Sequence, residues 1–247
     1  MGAILNNTAF EWQITVTSHE VDQFNRLKLS ALMKLQQEIG ERHLNVFGTK
    51  SDDLRKEQKV AFIFTKMNIL VHRLPKAYEK VMLRTWCSEL KGVRFTRNYV
   101  LFDELGQRLT EAKAEVTAIN LDTRRLVRPK EIHGFEGFLY NDEQENGAQY
   151  PQKISVLSAD GPIFERKVVT SDIDDNGHVN NTVYVDMATD CLSKEVLKAD
   201  IKGFEINFKN EVFLSEVINI TVEDIADGYA FCGKVADKEC FTALLKM

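Results

Sequence analysis

The feature of this 247-residue sequence that most restricts its fold is an order of elements that occurs twice. A segment of alternating apolar and polar residues comes first, then an apolar pattern at helical spacing, then several longer strand-like runs. The first helical pattern follows residues 10–17 and consists of Leu29, Leu32, Met33 and Ile39. The second follows residues 164–170 and consists of Val179, Val183, Met187 and Cys191. The pattern predicts two similar halves, each with one helix and an antiparallel sheet.

The longer strand-like runs follow the helix in each half. In the first half they are residues 60–72, 80–87, 94–102 and 107–120, and in the second half residues 203–209, 217–225, 229–235 and 241–245. Turn residues at 103–106 and at Asp227-Gly228 predict hairpins between them. Gly40 or Gly48 is expected to end the first helix.

A polar segment lies between the two halves. Residues 141–162 are rich in Asn, Gln, Glu, Gly and Pro, which is typical of a linker. The predicted organisation is therefore an N-terminal domain of residues 1–140, a linker of 141–162 and a C-terminal domain of 163–247. By itself this pattern supports a two-part α+β protein, in which a curled antiparallel sheet surrounds one helix in each half.

Composition narrows the range of functions. A hydrophobic content of 44% allows an ordinary core, and a net charge of −5 argues against a general nucleic-acid binder. The four cysteines form no CxxC pair, and no HExxH spacing or Gly-rich phosphate loop is present, so we expect neither a metal nor a cofactor. We find no apolar run long enough to span a bilayer and no secretory signal pattern, so a reduced, soluble, cytoplasmic protein is expected, with no membrane span.

A dense polar group precedes the second helix. Asp174, Asn176 and His178 place a carboxylate, a carboxamide and an imidazole in one short turn, beside what we expect to be polarising N–H groups at a helix N-terminus. Aligning Thr17-Ser18 with Thr170-Ser171 shows no such group in the first half. Asp, Asn and Gly are also ordinary capping and turn residues, so the spacing alone leaves a purely structural role open.

The longer run around this group resembles a family signature. Residues 171–181, with 70–75, 84–86 and 120–126, are similar to segments of the acyl-acyl-carrier-protein thioesterases of plants and bacteria. The resemblance implies a tandem hot dog fold, in which the N-terminal half binds the acyl chain and the C-terminal half is catalytic. It also implies that Glu211 joins Asp174, Asn176 and His178, and that the reaction is hydrolysis of fatty acyl-acyl-carrier protein to free fatty acid.

One departure from that family bears on the mechanism. Many relatives have cysteine after the glutamate, but here the residue is Val212, which cannot form an acyl-enzyme. Hydrolysis by an activated water is therefore expected, with either Glu211 or His178 as the general base. An acyl-CoA thioesterase and a non-catalytic acyl-binding protein remain alternatives.

Partners follow from the same resemblance. Acyl carrier protein is acidic, so we expect it to dock on a local basic surface. The candidate basic patch consists of Arg124, Arg125, Arg128 and Lys130. A solvated connection is the alternative interpretation of that patch. Pairing of two copies as a homodimer is a further expectation.

Overall fold

The computed structural model describes residues 2–5, 9–46, 50–133, 135, 145–155 and 163–247. Its strands are β1 (Gly2–Leu5), β2 (Ala9–Thr15), β3 (Val60–Val71), β4 (Lys80–Lys91), β5 (Arg94–Asp103), β6 (Arg108–Asn120), β7 (Leu126–Val127), β8 (Ile163–Lys167), β9 (Gly203–Phe208), β10 (Val217–Ile225), β11 (Gly228–Val235) and β12 (Lys238–Lys246). Its helices are α1 (Leu29–Val46), α2 (Ser51–Asp53), α3 (Asn181–Asp190) and α4 (Lys194–Lys198). A π-helical turn (Leu54–Gln58) and 3₁₀ turns (Pro129–Glu131 and Thr170–Asp172) complete the elements of the described ranges.

One continuous antiparallel sheet joins the two halves. The strand order is β1-β2-β4-β5-β6-β3-β9-β12-β11-β10-β8, with β7 beside β6. If each half is numbered from its opening strand, β2 in the first and β8 in the second, the order is 1-3-4-5-2 in both. The halves meet where β3 pairs with β9, and each of these strands is the first strand after the longest helix of its half. The predicted tandem hot dog fold is confirmed.

The strands that the alternating pattern predicts are present with small changes at their ends. The hairpin predicted at Asp227-Gly228 has Ala226 and Asp227 in its loop, and Gly228 is already paired with Ile225. Gly228 has a φ of 143°, which only glycine adopts easily. The pattern missed the short elements β1, α2, β7 and α4 because a few residues show no periodicity.

Helix α1 crosses the inner face of the first half. Leu32 and Ile39 are completely buried, and each contributes about 1.5–3 kcal/mol of burial free energy. The helix continues through Gly40, so the expectation that Gly40 ends it is wrong; there the small residue lies beside the Arg97 side chain. Gly48 lies outside the described residues. Within the described ranges, no helix is long and apolar enough to cross a membrane.

Helix α3 is the counterpart of α1 and contacts it. It begins at Asn181, and its cap is Asn180, whose Oδ1 accepts a hydrogen bond from Thr182 N at 2.9 Å. Val179 lies before the helix, where it forms a bridge with Ile173. The expectation that Val179 belongs to the helical face is therefore wrong, because Asn180 and Thr182 fix a later start.

The described part of the predicted linker, residues 145–155, lies against the outer face of the sheet. Gly147 N–H donates to Glu111 Oε2 at 2.6 Å on β6, and Tyr150 Oη donates to Glu115 Oε2 at 2.5 Å. Further along the segment, Gln152 N–H donates to Glu205 Oε1 at 2.6 Å on β9. The linker residues 141–144 and 156–162 lie outside the described residues. Segment 145–155 thus bonds to buried carboxylates of both halves, and we call it the strap.

Candidate active site

The turn before α3 is built by its own sequence. Asp174 N–H donates to His178 O at 3.0 Å, and Gly177 N–H donates to Asp174 O at 3.0 Å. Asp174 Oδ1 also accepts the N–H of Asn176 at 2.9 Å. Gly177 closes the turn with a φ of +82°, a conformation that costs side-chain-bearing residues energy. The short polar segment is therefore a fixed turn that presents its side chains outward.

The backbone of this turn has few donors left for a substrate. The N–H groups of residues 174, 176 and 177 close the turn itself, as described above. Val179 N–H donates to Val212 O at 2.8 Å, and Asn180 N–H donates to Asp172 O at 2.9 Å. The expectation that the turn's N–H groups polarise a substrate carbonyl is therefore wrong for these five residues, because their donors are already occupied.

His178 lies between two carboxylates. Its Nδ1 is 3.7 Å from Asp174 Oδ1, and its Nε2 is 3.8 Å from Glu211 Oε1. Both separations exceed direct hydrogen-bond length, and a water molecule can bridge groups at this range. The imidazole is about a quarter exposed and Glu211 somewhat more, so solvent reaches both. The three side chains thus follow one another in a line, and one water molecule placed to the side can hydrogen-bond to both the second and the third.

Glu211 reaches this line from the loop after β9. Lys209 N–H donates to Cys240 O at 2.8 Å on one side of it, and Val212 O accepts from Val179 on the other. Val212 is completely buried. Val212 therefore packs in the core through its side chain, and its carbonyl binds the backbone next to His178. These contacts fix the position of Glu211 relative to the imidazole.

Asn176 stands apart from this line. Its Nδ2 is 3.3 Å from Asp174 Oδ2 and 3.3 Å from Asp175 Oδ1, and its side chain is exposed. Of the four residues that the sequence indicated, the structure brings Asp174, His178 and Glu211 together. It connects Asn176 to them through Asp174 only.

Two cavities border the turn. Cavity A, of about 350 Å³, is bordered by Asp174 and Asn176, and cavity B, of about 440 Å³, by His178 and Glu211. The residues that border both are Phe62, Phe64 and Asn181. Apolar side chains of the first half border cavity A, namely Leu44, Phe95 and Val116 beside Phe62 and Phe64, together with polar and charged side chains such as Glu41, Arg55 and Arg97. The polar turn thus borders a cavity of mixed character, whose apolar side chains belong to the other half.

Two arginines of the first half reach the site, and sequence reasoning did not place them there. Arg124 Nη2 is 3.7 Å from Glu211 Oε2, and Arg55 Nη1 is 3.3 Å from Asp175 Oδ2. Arg124 has a φ of 57° in the tight turn between β6 and β7. For Arg124, the basic character of residues 124–130 was visible in the sequence. It suggested a docking surface, however, and not a contact with Glu211.

The first half contains the same turn with different chemistry. Val21 bridges Leu27 as Ile173 bridges Val179, and Asp22 N–H donates to Arg26 O at 2.7 Å. Asp22 therefore corresponds to Asp174 and Arg26 to His178. The alignment of Thr17 with Thr170 is wrong by one residue, because Thr17 corresponds to Val169. Thr17 N–H donates to Glu20 Oε2 as Val169 N–H donates to Asp172 Oδ2.

The turn of the first half has no carboxylate at the position that corresponds to Glu211. Leu27 N–H donates to Pro75 O where Val179 N–H donates to Val212 O, so Leu74 takes the position of Glu211. Arg26 is bound to Asp22 Oδ2 at 2.9 Å through a guanidinium that has no basic nitrogen to offer. The first copy therefore holds the fold and lacks both an imidazole and the second acid.

None of the cysteines of the described residues borders cavity A or cavity B. Burial raises the pKa of Cys87, Cys232 and Cys240, and it raises the pKa of Cys191 to about 11. A thiol with a raised pKa stays protonated and is a poor nucleophile. Among the described residues, no group of three or more His, Cys, Asp or Glu side chains is placed to hold a metal ion.

Comparison with known proteins identifies the family models and the sequences that this chain resembles. The model of the acyl-ACP thioesterase N-terminal domain matches residues 7–133, and that of the C-terminal domain matches residues 159–241. Oleoyl-acyl carrier protein thioesterase 1 of Arabidopsis thaliana is 22% identical over 85% of this chain and 62% of its own length. Dodecanoyl-[acyl-carrier-protein] hydrolase of Cinnamomum camphora is 23% identical over 92% of this chain and 62% of its own. The chain thus spans about three fifths of the length of these relatives.

Solved structures agree on the fold. An acyl-ACP thioesterase from Bacteroides thetaiotaomicron superposes with a TM-score of 0.89 at 21% identity, covering 97% of this chain and 98% of that one. A 12:0-ACP thioesterase from Umbellularia californica gives a TM-score of 0.83 at 20% identity, covering 99% and 98%. Because nearly the whole of each chain is covered, the likeness in fold includes both halves of the sheet.

Proposed function

This chain belongs to the acyl-ACP thioesterase family, and from that premise we propose that it hydrolyses the thioester of fatty acyl-acyl-carrier protein and releases free fatty acid. The observation that carries the proposal is the line Asp174–His178–Glu211, with the imidazole 3.7 and 3.8 Å from the two carboxylates. The second supporting feature is the cavity that opens beside His178 and Glu211.

The proposed reaction uses a water molecule that hydrogen-bonds to both His178 Nε2 and Glu211 Oε1 from the side of the cavity. One of these two groups removes the water's proton as its oxygen attacks the thioester carbonyl, and the released thiol takes up a proton. Asp174 orients the imidazole from the other side and stabilises the positive charge that it acquires if it is the base. Asn176, which reaches the line only through Asp174, fixes the carboxylate of Asp174 in this scheme.

We propose that the two halves divide the work. The N-terminal half, residues 1–140, holds the acyl chain against the aromatic wall of cavity A, and the C-terminal half, residues 163–247, supplies the catalytic side chains. The linker of 141–162 joins them. The phenylalanines that border cavity A, Phe62, Phe64 and Phe95, support the first assignment, because an alkyl chain gains free energy by leaving water for an apolar surface.

The carrier is proposed to dock at the basic patch, whose members are all exposed. Arg124 belongs to this patch and also lies 3.7 Å from Glu211, so the patch is continuous with the reaction line. An acidic carrier is attracted to such a surface, and the attraction weakens as salt is added. A cytoplasmic setting is part of the proposal, in keeping with four unpaired cysteines.

A homodimer also remains a proposal. The sheet edge at β3 pairs with β9 of the same chain and is not free for a second copy. The outermost strands, β1 and β8, are the edges left for pairing in the described sheet. Light scattering of the purified protein measures its oligomeric state directly.

The test is hydrolysis of a matched panel of acyl-carrier-protein and CoA thioesters of several chain lengths, followed by release of free thiol. We expect higher kcat/KM for the carrier-protein thioesters. Equal or higher activity on CoA would identify an acyl-CoA thioesterase instead. Absence of hydrolysis by folded protein would favour an acyl-binding protein without catalysis.

Two variants test the assigned residues. Glu211→Ala and His178→Ala should each lower turnover by about 10² or more, the usual scale for a positioned acid or base. Leu74→Ala, at the corresponding position of the first half, is the matched control, and folding of all three is checked by circular dichroism. Wild-type turnover in either site variant would contradict the proposed mechanism.

A further inference from the structure

Exposed apolar side chains of both halves border cavity B. They are Leu126 and Phe213, and their exposed fractions are 54% and 47%. Leu126 lies on β7 of the first half, and Phe213 follows Glu211 by two residues in the second half. A partner that covers these side chains removes apolar surface from water and gains free energy. The mouth of cavity B therefore offers an apolar contact on each half.

The charged side chains around cavities A and B differ in their balance of sign. Those that border cavity A are four carboxylates and two arginines: Glu41, Asp52, Asp174, Asp175, Arg55 and Arg97. Those that border cavity B are two lysines and the two reaction groups: Lys209, Lys238, His178 and Glu211. Lys209 is paired with Glu239 at 2.5 Å, and Lys238 is exposed. An acidic partner is therefore attracted more to the mouth of cavity B than to that of cavity A.

The basic patch continues to the same mouth. Leu126 lies between Arg125 and Arg128 in the sequence, so the patch includes one wall of cavity B. A thioester must reach His178 and Glu211 to react, and both of these residues border cavity B and not cavity A. A carrier that sits over this mouth thus places the arm that bears its thioester beside the reaction groups.

We propose that an acidic carrier protein docks over the mouth of cavity B, where Leu126 and Phe213 are its apolar contacts and Lys238 extends the basic patch into the second half. This inference rests on the proposed function and adds the C-terminal half to the docking surface. A protein surface covers apolar side chains on both halves at once, with charges around them, as in other protein interfaces. A small thioester without a protein lacks that surface, so these contacts select carrier-protein thioesters over carrier-free ones.

The test compares dodecanoyl-acyl-carrier protein with the dodecanoyl thioester of N-acetylcysteamine on wild type, Leu126→Ser, Phe213→Ser and Lys238→Glu. We expect each variant to lose about five- to tenfold in kcat/KM on the carrier-protein thioester, mainly through KM, and much less on the carrier-free one. Leu105→Ser and Lys167→Glu are the matched controls, because both residues are exposed and border neither cavity A nor cavity B. Both controls should keep the wild-type kcat/KM on both thioesters.

Binding of fluorescently labelled holo acyl carrier protein is measured in parallel by anisotropy. Weaker binding to the three variants than to wild type and the controls supports the inference even if no thioester is hydrolysed, which would refute only the proposed function. Wild-type kcat/KM of all three variants on the carrier-protein thioester would overturn the inference. Equal losses on both thioesters would also overturn it, because the side chains would then act on the reaction and not on the carrier. A wild type that neither binds the carrier nor hydrolyses its thioester would overturn both proposals.

Discussion

Asp174 and Asp22 occupy corresponding positions in the two halves, and replacing each by asparagine tests two different roles. We expect Asp174→Asn to lower catalytic activity and Asp22→Asn to lower stability. Each aspartate opens the same turn and accepts the backbone N–H two residues later, at 2.9 Å in one half and 2.8 Å in the other. Asparagine keeps an oxygen for that bond. What each substitution removes is one negative charge, beside His178 in the second half and beside Arg26 in the first.

The expected size of each effect follows from the charged side chain, His178 or Arg26, that loses its carboxylate. A charge 3.7 Å from a cationic imidazole stabilises it by about 4.5 kcal/mol at an effective dielectric constant of about 20, and solvent access lowers this value. We expect Asp174→Asn to lose about 10² in kcat/KM, or about 2.7 kcal/mol of transition-state stabilisation. Asp22→Asn removes a part-buried ion pair of 2.9 Å and should cost about 1–2 kcal/mol of unfolding free energy.

The assay pairs thioester hydrolysis with urea unfolding for both variants. Asp174→Asn should lose activity with little change in the urea midpoint, and Asp22→Asn should lose stability with wild-type kcat/KM where it is fully folded. Full activity of Asp174→Asn would refute the role given to that carboxylate. Equal loss of activity in both variants would show that the aspartates affect activity by stabilising the fold, and not by the charge that Asp174 places beside His178.

Other substitutions test single features. Every single Cys→Ser variant should keep its thioesterase activity, and loss of hydrolysis in one folded variant would restore a cysteine mechanism. Gly177→Ala should lower the unfolding free energy by about 1–2 kcal/mol in chemical denaturation, because its φ is +82°; Gly177→Asn should cost less. Glu111→Leu leaves Gly147 N–H unpaired and should cost about 1–3 kcal/mol by urea unfolding. Burial alone would raise the pKa of Glu111, but its bonds to Gly147 and His72 and the charge of Arg108 hold it below 4.5, so the deficit of the leucine variant should shrink as pH falls below 4.5.

Much of the fold could be predicted from the sequence because strands and helices have different periods. The strands between residues 60 and 120 were predicted as strand-like runs bounded by turn residues, although β5 and β6 are buried on both faces. The helix start at Asn181 was misjudged because a cap made by Asn180 overrides the apolar spacing that includes Val179. Short elements such as β1 offered too few residues for any period to be recognised.

The site was predictable only where its members are close in sequence. Asp174 and His178 lie in one turn, so their spacing suggested a shared role. Glu211 was indicated by the family resemblance, and the contact of Arg124 with it depends on the pairing of β3 with β9.

The strap has a consequence for hybrid proteins in which one half of this chain is joined to the other half of a family member. Its residues bond to Glu111 and Glu115 of one half and to Glu205 of the other, so no cut between the halves leaves it with all of its partners. Burial raises the pKa of Glu205, and the N–H of Gln152 offsets part of that effect. A hybrid whose strap does not match would leave this carboxylate buried without its donor. Segment 145–155 is therefore best exchanged together with the outer-face residues of β6 and β9 that it covers.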